Sequence, residues 1–142
     1  MKKTLFLGLI LLLIAAAGPA FLAAGQDNPQ AGGAGKAISW DNFREAKTNA
    51  EKYDNEGKYV EALQNYLEYV RQAEGLGNQE LVAWGKNNAA FMIIKRHKLD
   101  PSVDLEPAKK LLEEASAVGQ ATEDCKKCIQ MNMEYVTFFL KK

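Results

Sequence analysis

Residues 57–70 read GKYVEALQNYLEYV, and this stretch decides the fold class. Its aromatic, aliphatic and alanine side chains recur at spacings of three and four, at Tyr59, Ala62, Leu63, Tyr66 and Val70. That spacing places them on one face of an α-helix. Gly57 precedes the helix, and a glycine there can end an earlier helix because it tolerates positive φ. We therefore predict a helix over about 58–74 that follows another helix ending at Gly57.

Helical periodicity continues on both sides of this stretch. A first helix, about 38–56, has its apolar face at Trp40, Phe43, Ala46, Ala50 and Tyr53. Ser39 or Asp41 can cap its start, because both side chains accept a hydrogen bond from a free backbone N–H. A third helix, about 78–98, contains AAFMII at 89–94, which is apolar all round. Such a helix is covered on more than one side, so we expect it at the centre of the core.

Two further helices complete the predicted fold. Asp104 can cap a fourth helix with Pro107 in its first turn, where a missing N–H costs nothing. Thr122 opens a fifth, which has an acidic start that suits the helix dipole. Because no stretch alternates like a strand, we predict an all-α fold of about five antiparallel helices, joined by short turns.

Composition excludes several classes of function. The chain has 142 residues, with 18 Lys+Arg, 18 Asp+Glu, one His and two Cys. Balanced charge without a basic block argues against nucleic-acid binding, which needs a basic surplus. One His and one Cys pair leave too few ligands for most metal sites and for His-based catalysis. We therefore predict a non-enzyme with no cofactor and no metal.

The N-terminus has the three-part layout of a secretory signal peptide. Lys2 and Lys3 precede an apolar run over 5–17, and a Gly-Pro break and the small residues at 23–25 follow. We predict a signal peptide over 1–25, a flexible polar leader over 26–37 and a helical domain over 38–142, in a periplasmic or secreted protein. After cleavage no stable membrane insertion is expected. The alternative is an uncleaved membrane anchor, because the uncharged segment is about long enough to span a bilayer.

The stretch 46–69 resembles one tetratricopeptide repeat. The resemblance rests on Ala50, Tyr53, the GKYVEAL sequence at 57–63 and Tyr66. A weaker second copy places Asn88, Ala89, Met92, Ala108, Leu112 and Ala115 at the packing positions of the family. Ala50 and Ala89 are 39 residues apart, more than the family period of about 34. The resemblance implies two helical hairpins and a C-terminal capping helix. A generic five-helix bundle is the alternative.

The resemblance also implies a binding scaffold, because the first helix of each pair lines a groove for a peptide or a partner helix. Carried over residue by residue, the groove positions are Arg44, Lys47, Glu51, Asp54, Lys86, Asn87 and Ala90. Lys47 and Asn87 match two elements of the family's carboxylate clamp, but Glu51 does not. The mixed charges favour a partner that carries both signs, and an ordinary solvated helix face is the alternative.

Cys125 and Cys128 form a C-x-x-C pair at the start of the fifth helix. In an exported protein a disulfide is expected, although residues at i and i+3 of a helix are farther apart than a relaxed disulfide prefers. Unpaired or partner-linked cysteines are one alternative. The other is a thiol-based redox or assembly factor, although the usual C-x-x-C oxidoreductases have a βαβ pattern that is missing here.

The last helix has apolar residues on more than one face. Its outer side, at Met131, Tyr135 and Phe138, either packs deeply or docks a partner or a second copy.

Our main prediction is an exported adaptor that binds a protein or peptide. A thiol factor and a self-associating envelope component are the alternatives.

Overall fold

The computed structural model describes residues 35–141. The predicted signal peptide and most of the predicted leader lie outside these residues. The described part is all-α, and its five helices are α1 (Trp40–Asn55), α2 (Tyr59–Gly75), α3 (Gln79–Leu99), α4 (Glu106–Ser116) and α5 (Glu123–Leu140). The predicted fold class is therefore confirmed. No helix within residues 35–141 is long and apolar enough to cross a membrane.

Polar side chains and glycines set the ends of these helices. Ser39 Oγ accepts a hydrogen bond from the Asn42 N–H at 3.1 Å, and Thr122 Oγ1 accepts one from the Cys125 N–H at 3.3 Å. Gly57 has φ +73°, so it ends α1 in the conformation that glycine tolerates best. At α4 the prediction is one residue early: Asp104 accepts a hydrogen bond from the Glu106 N–H, but Leu105 occupies the N-cap position.

Each helix packs on the next one in sequence, and α3 also packs on α5. The largest fully buried apolar side chains lie on α3, α4 and α5, at Met92, Ile94, Leu112 and Val136. The stretch 89–94 is buried at every position except Phe91, which is partly buried. The predicted central place of this helix is therefore confirmed: α3 contacts α2, α4 and α5.

A glycine allows α2 and α3 to approach closely. A β-carbon added at Gly85 would lie 2.5 Å from Tyr69 Cδ1 and 2.7 Å from Val70 Cγ2. Those distances are shorter than van der Waals contact, so only glycine fits without movement of α2. The Tyr69 ring therefore packs closely against α3 at Gly85.

A buried glutamine holds the residues that precede α1. Gln72 is fully buried, and its Oε1 accepts a hydrogen bond from the Ser39 N–H at 2.9 Å. Its Nε2 donates to the Ala37 carbonyl at 3.0 Å and to Glu68 Oε1 at 2.9 Å. Because each polar atom of this side chain is satisfied, its burial is tolerated. The chain is therefore fixed to α2 before the first helix begins.

Candidate ligand groove

A groove of about 310 Å³ lies between α1 and α3, with α2 beneath it. It is lined by residues of all three helices: Lys47, Glu51, Tyr66, Tyr69, Glu80, Leu81, Trp84 and Asn88. The walls are therefore mostly polar or charged, and the floor is aromatic. This combination suits a ligand that has both apolar and polar groups.

The tyrosine hydroxyls of the floor are open to a ligand. Tyr66 and Tyr69 are only 6% and 4% exposed, and within residues 35–141 neither hydroxyl has a hydrogen-bond partner. Over the same residues no side-chain nitrogen or oxygen atom is both fully buried and unpaired. Both hydroxyls must therefore reach solvent, and they do so where the side chains line the groove. The same argument applies to the indole N–H of Trp84.

Both tyrosines are neutral at physiological pH. Burial, with smaller contributions from the negative charges of Asp54 and Glu51, raises the pKa of Tyr66 to about 12. Burial also raises the pKa of Tyr69. Each hydroxyl can therefore both donate and accept a hydrogen bond, as backbone amides and carbonyls of a bound peptide would require.

The charged side chains of the groove carry both signs. Lys47 Nζ lies 3.5 Å from Glu51 Oε1 on α1, and each side chain is 53% exposed. Such an exposed pair contributes little to stability, so either group can turn to a ligand at low cost. Glu80 lines the groove from α3 and makes no salt bridge within the described residues.

Two of the seven predicted groove residues, Lys47 and Glu51, line this groove. Arg44 is on the same helix, where it is exposed and paired with Asp41. Asp54 forms a salt bridge of 2.6 Å with Lys95, which fixes the end of α1 to α3. Neither residue lines the groove.

The three positions predicted on α3, Lys86, Asn87 and Ala90, do not line this groove. Ala90 is fully buried in the core, and Asn87 is 3% exposed, with its Oδ1 accepting a hydrogen bond from Asn132 Nδ2 at 3.0 Å. Both therefore face the interior. Trp84 and Asn88, which do line the groove, follow Lys47 and Glu51 by 37 positions. The prediction instead transferred groove positions from α1 to α3 with an offset of 39, the spacing of Ala50 and Ala89. A shift of two residues turns a helix by about 200°, which exchanges its two faces.

Lys86 connects helices instead of lining the groove. Its Nζ lies 2.9 Å from Glu114 Oε2 on α4 and 3.4 Å from Glu74 Oε1 on α2, and its side chain is 16% exposed. Burial alone would lower the pKa of Lys86, but the hydrogen bond and charge of Glu114 raise it overall. The amine is therefore charged and paired with two carboxylates, so reversing its charge would lower the stability of the fold.

The two cysteines are free thiols in the structure, so the expected disulfide is not shown. Cys125 is fully buried at the start of α5, and Cys128 is partly buried one turn later. Burial, with smaller contributions from the charges of Cys128 and Glu80, raises the pKa of Cys125 to about 11. Because the thiolate is the reactive form, this environment disfavours a nucleophilic or redox role for Cys125.

The predicted outer side of α5 is only partly exposed. Met131 is 70% exposed and Phe138 is 56% exposed. Tyr135 instead turns towards α3, where its hydroxyl lies 3.0 Å from His97 Nδ1 and its ring packs edge-on against the imidazole. Of the three residues predicted on the outer side, Met131 and Phe138 are therefore exposed and Tyr135 is not.

Comparisons with known proteins found no relative: no family model matches the chain, and neither the curated proteins nor the solved structures contain a match. The tetratricopeptide resemblance therefore rests on the residues quoted above.

Proposed function

We propose that the protein is an exported, tetratricopeptide-like adaptor that binds a peptide segment of another protein in the groove between α1 and α3. The observation that carries this proposal is the set of three aromatic residues that line the groove, two on its floor and one on the α3 wall. Tyr66, Tyr69 and Trp84 bury most of their surface, yet each keeps a hydrogen-bonding group that no residue in 35–141 satisfies. A peptide backbone offers the complementary amides and carbonyls along an extended chain.

Peptide binding also agrees with the shape and the charges of the groove. A volume of about 310 Å³ accommodates a few side chains and is too small for a globular partner surface. Lys47 lies on one wall, with Glu51 beside it and Glu80 on the opposite wall. We therefore expect a segment that carries an apolar or aromatic side chain, flanked by at least one charged residue.

The groove can be tested with two conservative substitutions. We expect the double variant Tyr66→Phe, Tyr69→Phe to bind its partner about tenfold more weakly, because it loses two hydrogen bonds of about 0.5 to 1.5 kcal/mol each. The partner is first identified by photo-crosslinking from a benzoylphenylalanine at position 84, and its affinity for the purified variants is then measured by titration calorimetry. The unfolding temperature should change little, since the rings remain.

Matched controls separate this function from its alternatives. Tyr59→Phe removes a hydroxyl from the same helix but outside the groove, so it should bind normally. Cys128→Ser should also bind normally, whereas a thiol-based factor would lose its partner. A crosslinker at the exposed Lys110 of α4 is the control for non-specific capture. Unchanged affinity of the double tyrosine variant, or equal crosslinking from positions 84 and 110, would refute the groove as the site.

Export is a separate part of the proposal, and it is supported by the charged, apolar and small-residue segments of 1–25. We expect the protein accumulated by its native cells to begin at Gln26 and to be recovered outside the cytoplasm. Intact-mass measurement of the purified protein and of its cell fractions checks this. A chain that keeps residues 1–25 and fractionates with the membrane would instead establish the uncleaved anchor.

A further inference from the structure

The outer face of α5 forms a second groove, beside the end of α4. Its volume is about 890 Å³, and Ile129, Met133 and Thr137 lie on its floor. Charged side chains of Lys126, Glu134 and Lys141 also line it. It shares no residue with the ligand groove between α1 and α3.

Exposed apolar surface concentrates on this helix. Four of the nine exposed large hydrophobic residues within 35–141 belong to α5: Met131, Phe138, Phe139 and Leu140. Met131 is 70% exposed near the middle of the helix. Met131 and Phe138 are seven residues apart, about two helical turns, so they lie on one side of α5. Exposed apolar residues that share one side of a helix are typical of an interaction site.

The charges of α5 indicate which partner fits. From its first residue the helix carries Glu123 and Asp124, then Lys126 and Lys127, then Glu134, and finally Lys141. A parallel second copy would place each charge opposite itself. In an antiparallel pair centred at Met131, Lys127 of one chain would instead lie near Glu134 of the other chain. Lys127 is four residues before the centre of the helix, and Glu134 is three residues after it.

The register of this antiparallel arrangement agrees along the whole helix. Lys127 of one chain would lie directly opposite position 135 of the other, one residue or about 1.5 Å along the axis from Glu134. Glu123 would lie opposite position 139, two residues or about 3 Å from Lys141. Long side chains easily span both offsets. Within one chain, Glu123 and Lys126 lie 2.8 Å apart and Asp124 and Lys127 lie 3.8 Å apart. These are exposed pairs of low energy, so they can exchange partners.

We propose that the side of α5 beside this groove binds a second copy of the chain, with α5 packed antiparallel on α5 across a two-fold axis near Met131. This side carries Lys127, Met131, Glu134 and Phe138, of which Glu134 and Phe138 also line the groove. A single self-complementary patch is what a two-fold interface requires. The helix dipoles would also oppose each other, which places the acidic start of one α5 beside the basic end of the other. Both ligand grooves would remain outside the contact.

The test is the dissociation constant of the dimer, measured by sedimentation velocity over a concentration series of the protein in the form that cells accumulate. Met131→Glu should weaken association at least about 30-fold, because it removes two buried methionines and places like charges at the axis. Val60→Glu changes an exposed residue of α2, 46% exposed, and should have no effect.

A charge exchange tests the register itself. Lys127→Glu alone and Glu134→Lys alone should each weaken the dimer about tenfold, and the two together should restore it. Within one α5 these residues are seven positions apart, so restoration requires pairing between chains. A protein that stays monomeric at millimolar concentration, a dimer insensitive to Met131→Glu, or failure of the double variant to recover would each overturn the proposal. None of these outcomes bears on the ligand groove.

Discussion

Replacing Gly85 with leucine is expected to lower the free energy of unfolding by about 3 kcal/mol, because the new side chain must enter space that α2 already fills. The first added carbon alone would lie 2.5 Å from the Tyr69 ring and 2.7 Å from Val70 Cγ2. The higher helix propensity of leucine returns less than about 1 kcal/mol. The unfolding temperature should fall by roughly 12 to 24 °C, as measured by circular dichroism.

Gly119→Ala is the control for this prediction. Gly119 lies between α4 and α5, and an added β-carbon would meet no atom within 4 Å. Its stability should stay within about 0.5 kcal/mol of the parent protein. If Gly85→Leu unfolds at the parent temperature, α2 and α3 do not approach as closely as described, and Tyr69 is not held by that contact.

Leu112→Ala is expected to lower the free energy of unfolding by about 2 to 5 kcal/mol. Leu112 is fully buried, in the cluster of core residues that also holds Ile94 and Val136. The change removes apolar contacts and leaves a cavity among α3, α4 and α5. Because α4 has only 11 residues, it has few other side chains with which to compensate. Chemical denaturation with urea measures the loss.

The matched control is the same substitution at an exposed position. Leu99 ends α3 and is 75% exposed, so Leu99→Ala should change the free energy of unfolding by no more than about 0.5 kcal/mol. Equal effects at positions 99 and 112 would mean that α4 does not pack as described here.

The helices could be predicted from sequence because their signals are local. Gly57 with positive φ, the Ser39 cap and the Thr122 cap each act within one turn of the residue concerned. Spacing of apolar residues at three and four then defines the buried face of α1 and α2. These signals need no knowledge of the rest of the chain, so the helix boundaries agree with the structure to within about two residues.

The groove could be predicted only on α1, because α3 lacks a face that is clearly polar. The resemblance matches Ala50 of α1 to Ala89, an offset of 39 residues, whereas at the offset of 37 that relates the groove-lining residues the counterpart of Ala50 is Asn87, which is buried. Matching Ala89 turns α3 so that Asn87 faces outwards, whereas the structure turns Trp84 and Asn88 to the groove. The contact that decides this, Tyr69 against Gly85, joins residues of two helices and leaves no periodic signal.

The tyrosine floor was also absent from the predicted site. Tyr66 and Tyr69 occupy positions whose spacing indicates core, and both rings are indeed buried. Only the choice of tyrosine over phenylalanine at these positions points to a polar role. Whether each hydroxyl reaches solvent depends on how α1 and α3 pack around α2. The sequence of α2 alone does not predict that packing.

The packing of each helix on its neighbour in sequence also bears on how the chain reaches its folded state. Contacts that join nearby segments close only short loops, and short loops cost little chain entropy. The hairpin of α1 and α2 can therefore assemble before α5 has been made. As the chain emerges from the ribosome, N-terminus first, each helix can pack on the helix that was made just before it.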